Sequence, residues 1–192
     1  MRRLYVVLVL GVGALLLSSC TLISPNAAPQ HLTRSQVGFG LLDKTIPKTG
    51  GAKVRFITQP VYIVDATNHL SPSSRIVPSP PSLATVIAQL LIGPTAIEKS
   101  AGYTSALPAT LVMVSAAVRA GVGYLNFATP LNTLSRSSQL LAVGQLVLTA
   151  QEVGATNGIV INVAGVVQHL LMPNGQRATL VTSKNFQVLL NA

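Results

Sequence analysis

The chain has 192 residues, a formal net charge of +9, 49% apolar residues and only 9% charged residues. Its 13 Lys and Arg residues are thinly spread, and no basic run alternates with aromatic residues, so the composition does not favour nucleic-acid binding. The single cysteine, Cys20, excludes a disulfide within the chain, so the folded part has to be stable through its core alone.

The N-terminus has the pattern of an export signal. Arg2 and Arg3 form a short positive region, and Leu4–Leu17 is a charge-free apolar run, shorter than the roughly 20 residues of a membrane span. The sequence Leu17-Ser18-Ser19-Cys20 resembles the lipobox of bacterial lipoproteins, which implies cleavage before the cysteine and its acylation, with chains such as palmitate. We therefore expect a signal peptide at 1–19 and a lipid anchor at Cys20. The competing interpretation is a transmembrane anchor with an incidental cysteine.

The next segment has the composition of a tether. Without residues 1–19 the chain has 11 basic and 4 acidic residues, and no later stretch of about 18 residues is free of charge, so no second span is expected. Residues 20–53 are predicted to be a lipidated tether, because Ser24–Pro29 is rich in turn formers. Val37–Leu42 is too apolar for a pure linker, and Phe39, Leu41 and Leu42 are expected to pack on the domain.

Residues 54–190 are predicted to form one domain, which begins with strands. Val54–Ile57 and Val61–Val64 are β-branched and aromatic runs separated by Pro60, and residues 75–77 are expected to be extended. Apolar residues at helical spacing from Leu83 to Leu91 predict the first helix, which ends at Gly93-Pro94. Residues 95–108 are predicted to be a loop with a short turn near 96–99.

The second half again begins with strands that are followed by a helix. Thr110–Val118 and Val122–Phe127 are predicted to pair as an antiparallel hairpin, with Gly121 at the left-handed position of the turn. A helix with an apolar face from Leu140 to Leu148 and a central strand at Ile159–Val163 follow. Short strands at 166–171, 178–182 and 186–190 end the chain. The order β-β-α-β-β-α-β-β predicts an α+β fold, with a mixed, largely antiparallel sheet and two helices packed on one face.

Several short stretches occur in an order that is typical of one domain family. They are Val61–Asp65, Leu70 with Arg75–Val77, Leu90–Pro94, Gly102–Pro108, Gly121–Phe127, Gln145–Thr149 and Ile159–Gly165. Together they resemble the GerMN domain, the sporulation and spore-germination module, over roughly residues 54–187. Asn126 stands where an Asp is common in that family, and Ala164 precedes Gly165 where another Asp is common. The resemblance implies a non-catalytic role in envelope assemblies, without the chemistry of those two carboxylates.

The remaining residues give little support for catalysis or metal binding. The acids after residue 19 lie in four different segments, so no general acid/base pair is predicted; they are Asp43, Asp65, Glu98 and Glu152. Asp65 is expected to be a turn residue that accepts backbone N–H groups. The histidines lack metal-ligand spacing, so no metal site is predicted; they are His31, His69 and His169. Gly-x-Ser-x-Gly, Walker and Gly-x-Gly-x-x-Gly motifs are absent from the sequence, and no cofactor is expected.

Gln145 and Thr149 are four residues apart on one helix face. They could share a ligand, but a hydrogen bond from helix to sheet is the favoured interpretation. Gly121-Val122-Gly123 is likewise better interpreted as a hairpin turn than as a phosphate-binding loop.

These observations predict a non-catalytic, lipid-anchored extracytoplasmic interaction module in cell-envelope assembly or regulation. It would present a sheet edge or the loop Thr95–Pro108 to an envelope protein partner. The alternative is a carrier or sensor of a lipid or cell-wall fragment, which requires a continuous cavity of about 300 Å³ or more between sheet and helices. A third possibility, an exported hydrolase, requires two titratable groups within hydrogen-bond reach.

Overall fold

The computed structural model describes residues 54–131 and 133–190, so Cys20, His31, Asp43 and the predicted packing of Phe39, Leu41 and Leu42 lie outside the described residues. The first half contains β1 (Phe56–Val64), β2 (Leu70–Pro78), α1 (Leu83–Ile92) and α2 (Ala96–Ser100). The second half contains β3 (Met113–Arg119), β4 (Val122–Phe127), α3 (Arg136–Gln151), β5 (Ile159–Val163), β6 (Val166–Val167), β7 (Leu170–Leu171), β8 (Arg177–Ala178) and a 3₁₀ segment (Ser183–Leu189). The α+β class is therefore confirmed.

The strands form separate sheets where the sequence predicted one. β1 and β2 make an antiparallel pair, and β7 pairs with β8. Strands β3-β4-β5-β6 make a mixed sheet in which β4 and β5 are parallel and the other pairs are antiparallel. The predicted hairpin between β3 and β4 is confirmed. Ala120 and Gly121 both have positive φ at its turn, as a tight two-residue connection that matches the strand twist requires.

Strand β1 runs through Pro60, where the sequence predicted a break between two strands. Proline lacks an N–H group, so it interrupts a sheet only where that group would bond to a neighbouring strand. The N–H of Tyr62 points away from β2, toward α3. Alternate residues of a strand direct their backbone groups to the same edge, so Pro60 faces that edge as well and removes no bond to β2.

Helix α1 behaves as its apolar spacing predicts. Ser82 caps it by accepting a hydrogen bond from the N–H of Thr85, and Leu83, Val86, Ile87 and Leu90 are buried. Helix α3 differs from the prediction, because burial extends around it from Ala142 to Ala150 instead of following the single face Leu140–Leu148. The reason is that α3 packs against β1, α1 and the 3₁₀ segment. These contacts join one core of buried side chains.

No helix in residues 54–131 or 133–190 combines the length and the apolar character that a bilayer span requires.

Candidate functional site

Helix α3 carries a pair of polar side chains that bind the outer edge of β1. We call Gln145 and Thr149 the α3 clamp. Thr149 Oγ1 accepts a hydrogen bond from the N–H of Tyr62 (2.9 Å), and Gln145 Nε2 donates to the carbonyl of the same residue (2.9 Å). Gln145 Oε1 also accepts from the N–H of Ala106 (2.8 Å). The clamp thus supplies the donor and the acceptor that a neighbouring strand would otherwise provide.

The α3 clamp is a structural site. Both side chains are fully buried, and their polar atoms are used by the backbone of β1 and of the segment after α2. The predicted helix-to-sheet hydrogen bond is therefore confirmed. The residue pair joins three parts of the chain that are distant in sequence.

An ion pair fastens α2 to β2. Arg75 Nη1 and Nη2 each donate to one oxygen of Glu98 at 2.9 Å, which is the bidentate arrangement that guanidinium and carboxylate favour. Arg75 is only 9% exposed and donates further to the carbonyls of Ser74 and Gly93. The hydroxyl of Ser73 donates to Glu98 as well. Because the charges are paired and additionally hydrogen-bonded, their burial is compensated.

Glu98 also takes part in capping the start of α2. Its Oε2 accepts from the N–H of Thr95 (2.6 Å), while Thr95 Oγ1 accepts from the N–H of Glu98. Hydrogen bonds, first from Arg75 and then from Ser73 and Thr95, lower the pKa of Glu98 from 4.5 to about 2, against the opposing effect of burial. The sequence predicted a loop at Glu98. The pattern Thr95-x-x-Glu98 is a capping box and could have indicated this helix start.

We expect this arrangement to make stability depend on pH. Since the pKa of Glu98 is lower in the folded protein, its contribution is complete above about pH 4.5 and is lost as the pH falls toward 2. The free energy of unfolding, measured by urea titration, should therefore decrease between pH 5 and pH 2. Glu98→Gln should reduce this slope and cost about 1.5–3 kcal/mol at pH 7, the contribution of hydrogen bonds to a charged group.

Asp65 provides the internal reference for that measurement, because its pKa is also lowered and it remains in the Glu98→Gln variant. Part of the pH dependence of the free energy of unfolding should thus persist in the Glu98→Gln variant. An unchanged slope in Glu98→Gln would contradict the assignment.

Asp65 organises the turn between β1 and β2, as the sequence predicted. Its Oδ1 accepts from the N–H groups of Thr67 (2.8 Å) and His69 (3.0 Å), and its Oδ2 accepts from the hydroxyl of Ser71 (2.8 Å). The hydroxyl of Thr67, the largest cause, lowers the pKa of Asp65 well below its usual range together with these groups. The carboxylate is therefore committed to the local backbone.

Glu152 and the histidines belong to none of the three arrangements described above. Glu152 caps the end of α3, and its Oε1 accepts from the hydroxyl of Tyr62 at 3.3 Å. Burial, and then the charge of Glu152, raises the pKa of Tyr62. His69 lies in the β1–β2 turn and His169 is exposed between β6 and β7. Within residues 54–131 and 133–190, no three His, Cys, Asp or Glu side chains are grouped as metal ligands would be.

The spaces in the described domain are small or open. A cleft beside α3 and β7, lined by residues that include Leu131, Gln139 and His169, has a volume of about 20 Å³, which is room for about one water molecule. Larger depressions of about 290 to 450 Å³ lie at the surface and are open to solvent. These depressions lie on the surface, whereas a carrier of a lipid would require a cavity in the interior, between the sheet and the helices.

The two positions that depart from the family pattern are structurally accommodated. Asn126 donates from Nδ2 to Ser115 Oγ at 2.6 Å across β3 and β4. Ala164 and Gly165 form the β5–β6 turn with φ values of 48° and 82°. The turn therefore forms without the aspartate, although alanine pays more strain than Asp or Asn at such a φ.

The domain is similar to known GerMN structures. The tandem GerMN domains of the sporulation protein GerM from Bacillus subtilis match with a TM-score of 0.53 and 14% identity, over 68% of this chain and 48% of that chain. The chain thus spans about half the length of the tandem structure. The first GerMN domain of the same protein matches with a TM-score of 0.52 and 14% identity, over 67% of this chain and 98% of that chain. At this identity the likeness shows the fold alone.

A comparison with curated proteins finds no match to this chain. The family described as "Germane: Sporulation and spore germination" matches residues 60–168, which is more than half of the chain. This range includes the α3 clamp, the Arg75–Glu98 ion pair and the Asp65 turn. The chain therefore belongs to the Germane family and contains a GerMN domain.

Proposed function

We propose that this protein is a non-catalytic interaction module, anchored through lipidated Cys20 at the extracytoplasmic face of the membrane, that helps to assemble or regulate cell-envelope machinery. Its partner is an envelope protein. The module docks through the segment that joins α1 to α2, and the GerMN domain holds this segment in place.

The observation that carries this proposal is a pair of exposed isoleucines on a rigidly held segment. Ile92 ends α1 and is 73% exposed, and Ile97 in α2 is 82% exposed. The segment is fixed by the Arg75–Glu98 ion pair and by the hydrogen bond from Arg75 Nη2 to the carbonyl of Gly93 (3.3 Å). A backbone that is held in place before binding loses little conformational entropy on association, which favours affinity.

The state of the acids supports a function without catalysis. Asp65, Glu98 and Glu152 each accept hydrogen bonds in different parts of the fold. Two titratable pairs do lie within reach, Arg75–Glu98 and Tyr62–Glu152, but the pKa of Glu98 is lowered and that of Tyr62 is raised. A general acid or base works best with a pKa near the working pH, so both shifts are in the unfavourable direction.

We expect Ile92→Ser combined with Ile97→Ser to abolish capture of the partner when the protein is purified from its native membranes in mild detergent. The loss of two buried isoleucines from an interface would cost several kcal/mol of binding, or more than about 100-fold in affinity. The matched control is Ile76→Ser on β2, because Ile76 is 72% exposed and lies outside the segment. Equal capture by the double variant and the control, with unchanged melting temperatures, would refute this docking surface.

The anchor is tested separately. Cys20→Ser removes the acyl acceptor, so the protein should leave the membrane fraction or remain unprocessed, as followed by fractionation after alkaline washing and by mass spectrometry of the N-terminus. The acyl chains confine the domain near the bilayer and raise its effective concentration toward a membrane partner. Normal cleavage with membrane retention in Cys20→Ser would refute the anchor while leaving the docking surface open to its own test.

A further inference from the structure

The mixed sheet has one face that carries polar side chains. Inward-facing residues such as Leu125 and Ile161 are buried, whereas their neighbours in β3, β4 and β5 point to the other side. Tyr124 lies opposite Ala117, and Asn126 lies between Ser115 and Asn162 in the strand register. We call this the outer sheet face; it consists of Ser115, Ala117, Arg119, Tyr124, Asn126 and Asn162.

These six residues line one depression of about 290 Å³ that is open to solvent. That volume is close to the lower end of small-ligand sites, which begins at about 300 Å³. The depression exists because β3 contributes small side chains beside the ring of Tyr124. The register of β3 also shifts between Met113 and Ser115, and such bulges redirect side chains at sheet edges.

Several polar groups of the outer sheet face have no hydrogen-bond partner among residues 54–131 and 133–190. They are the hydroxyl of Tyr124, the amide of Asn162 and the guanidinium of Arg119, whereas Asn126 donates to Ser115 and leaves its Oδ1 free to accept. The face thus combines an aromatic ring, which is 37% exposed, with donors and acceptors arranged around it.

We propose that the outer sheet face binds a saccharide chain that bears carboxylates. A sugar ring has an apolar C–H surface that can stack on Tyr124 and a rim of hydroxyl and amide groups that suit Asn126 and Asn162. A protein interface needs a core of several apolar side chains, whereas the lining of the depression offers one ring and the methyl group of Ala117, with the half-buried Val160 beside Tyr124 in the register. Nucleic acid needs contacts to many phosphates, and this face has one cationic group.

Charge determines the kind of saccharide. Arg119 is the only charged side chain of the outer sheet face, and the three acids of the described domain are hydrogen-bonded elsewhere. A guanidinium binds a carboxylate through two parallel hydrogen bonds, so a chain with carboxylates at intervals is favoured over a neutral one. This inference is independent of the docking segment at Ile92 and Ile97, which lies on other elements.

The test is calorimetric titration of the full-length protein in mild detergent. The probe is glycan strands released from peptidoglycan by an amidase, in which every second sugar bears a carboxylate, and chitohexaose is the neutral comparison. We expect Tyr124→Ala to weaken strand binding by about tenfold or more, since the sugar ring would lose its stacking surface. Arg119→Gln should weaken binding of the strands several-fold and leave chitohexaose unaffected. Arg136→Gln, an exposed arginine at the start of α3, is the matched control.

If Tyr124→Ala does not fold, Tyr124→Phe and Asn162→Ala take its place, with retained and weakened binding expected respectively. The proposal is overturned if the wild-type protein does not bind the strands, or if folded Tyr124→Ala and Arg119→Gln bind as well as Arg136→Gln. It is also overturned if sedimentation shows a wild-type dimer that Tyr124→Ala converts to a monomer, because the face would then bind a second copy.

Discussion

Replacing Leu90 with aspartate should unfold the GerMN domain. Leu90 is 1% exposed on the buried face of α1, so the variant would lose a buried leucine and bury an unpaired carboxylate. The Leu-to-Ala part alone costs about 2–5 kcal/mol, and total stabilities of domains are about 5–15 kcal/mol. The circular dichroism spectrum of the variant should already be that of an unfolded chain at ambient temperature, and heating should produce no cooperative transition.

Ala88→Asp provides the control for this experiment. Ala88 is exposed on the same helix, so the same charge is introduced without burial, and the expected cost is about 0.7 kcal/mol from helix propensity. A melting temperature of Leu90→Asp equal to that of Ala88→Asp would show that α1 does not face the core.

Gly158→Ala should be the second strongly destabilising change. Gly158 has a φ of +103°, and an added Cβ would lie 2.4 Å from the carbonyl oxygen of Val181. That oxygen accepts the hydrogen bond from Ile159 that starts β5 (2.8 Å). The backbone segments at Gly158 and Val181 would have to move apart and this hydrogen bond would break. We therefore expect a loss of about 3 kcal/mol or more in the free energy of unfolding, measured by urea titration.

Gly154→Ala separates the two causes of this loss. Gly154 has a similar φ of +95°, but nothing lies within 4 Å of an added Cβ. Its substitution should cost about 1–2 kcal/mol, from the left-handed conformation alone. If Gly158→Ala costs no more than Gly154→Ala, the close approach to Val181 is not a constraint.

The sequence predicted the elements whose signals are local. Helix α1 follows from the spacing of its apolar residues and from Ser82, and the structure gives Leu83–Ile92. The β3–β4 turn follows from Ala120-Gly121, because a glycine readily adopts the positive φ that the turn needs. In both cases the decisive residues are neighbours in the chain, so no knowledge of the tertiary fold was necessary.

Features that depend on distant residues were predicted less completely. The Arg75–Glu98 ion pair joins residues 23 positions apart, and the local sequence around each residue does not indicate which residue it pairs with. For Gln145 the sequence indicated a bond to the sheet, but the strand and the residue, Tyr62, emerge only from packing. The division into separate sheets has the same origin, since strand register is fixed by pairing and by burial.

The α3 clamp also limits how this domain can associate. Three successive outward positions of β1 are closed to an incoming strand: Pro60 has no N–H, Tyr62 is bound by Gln145 and Thr149, and Val64 is paired with Thr104. Exposed sheet edges promote aggregation by recruiting the backbone of other chains. The clamp therefore protects this edge of the hairpin, and side chains of a helix perform the protective role that a further strand has in a closed sheet.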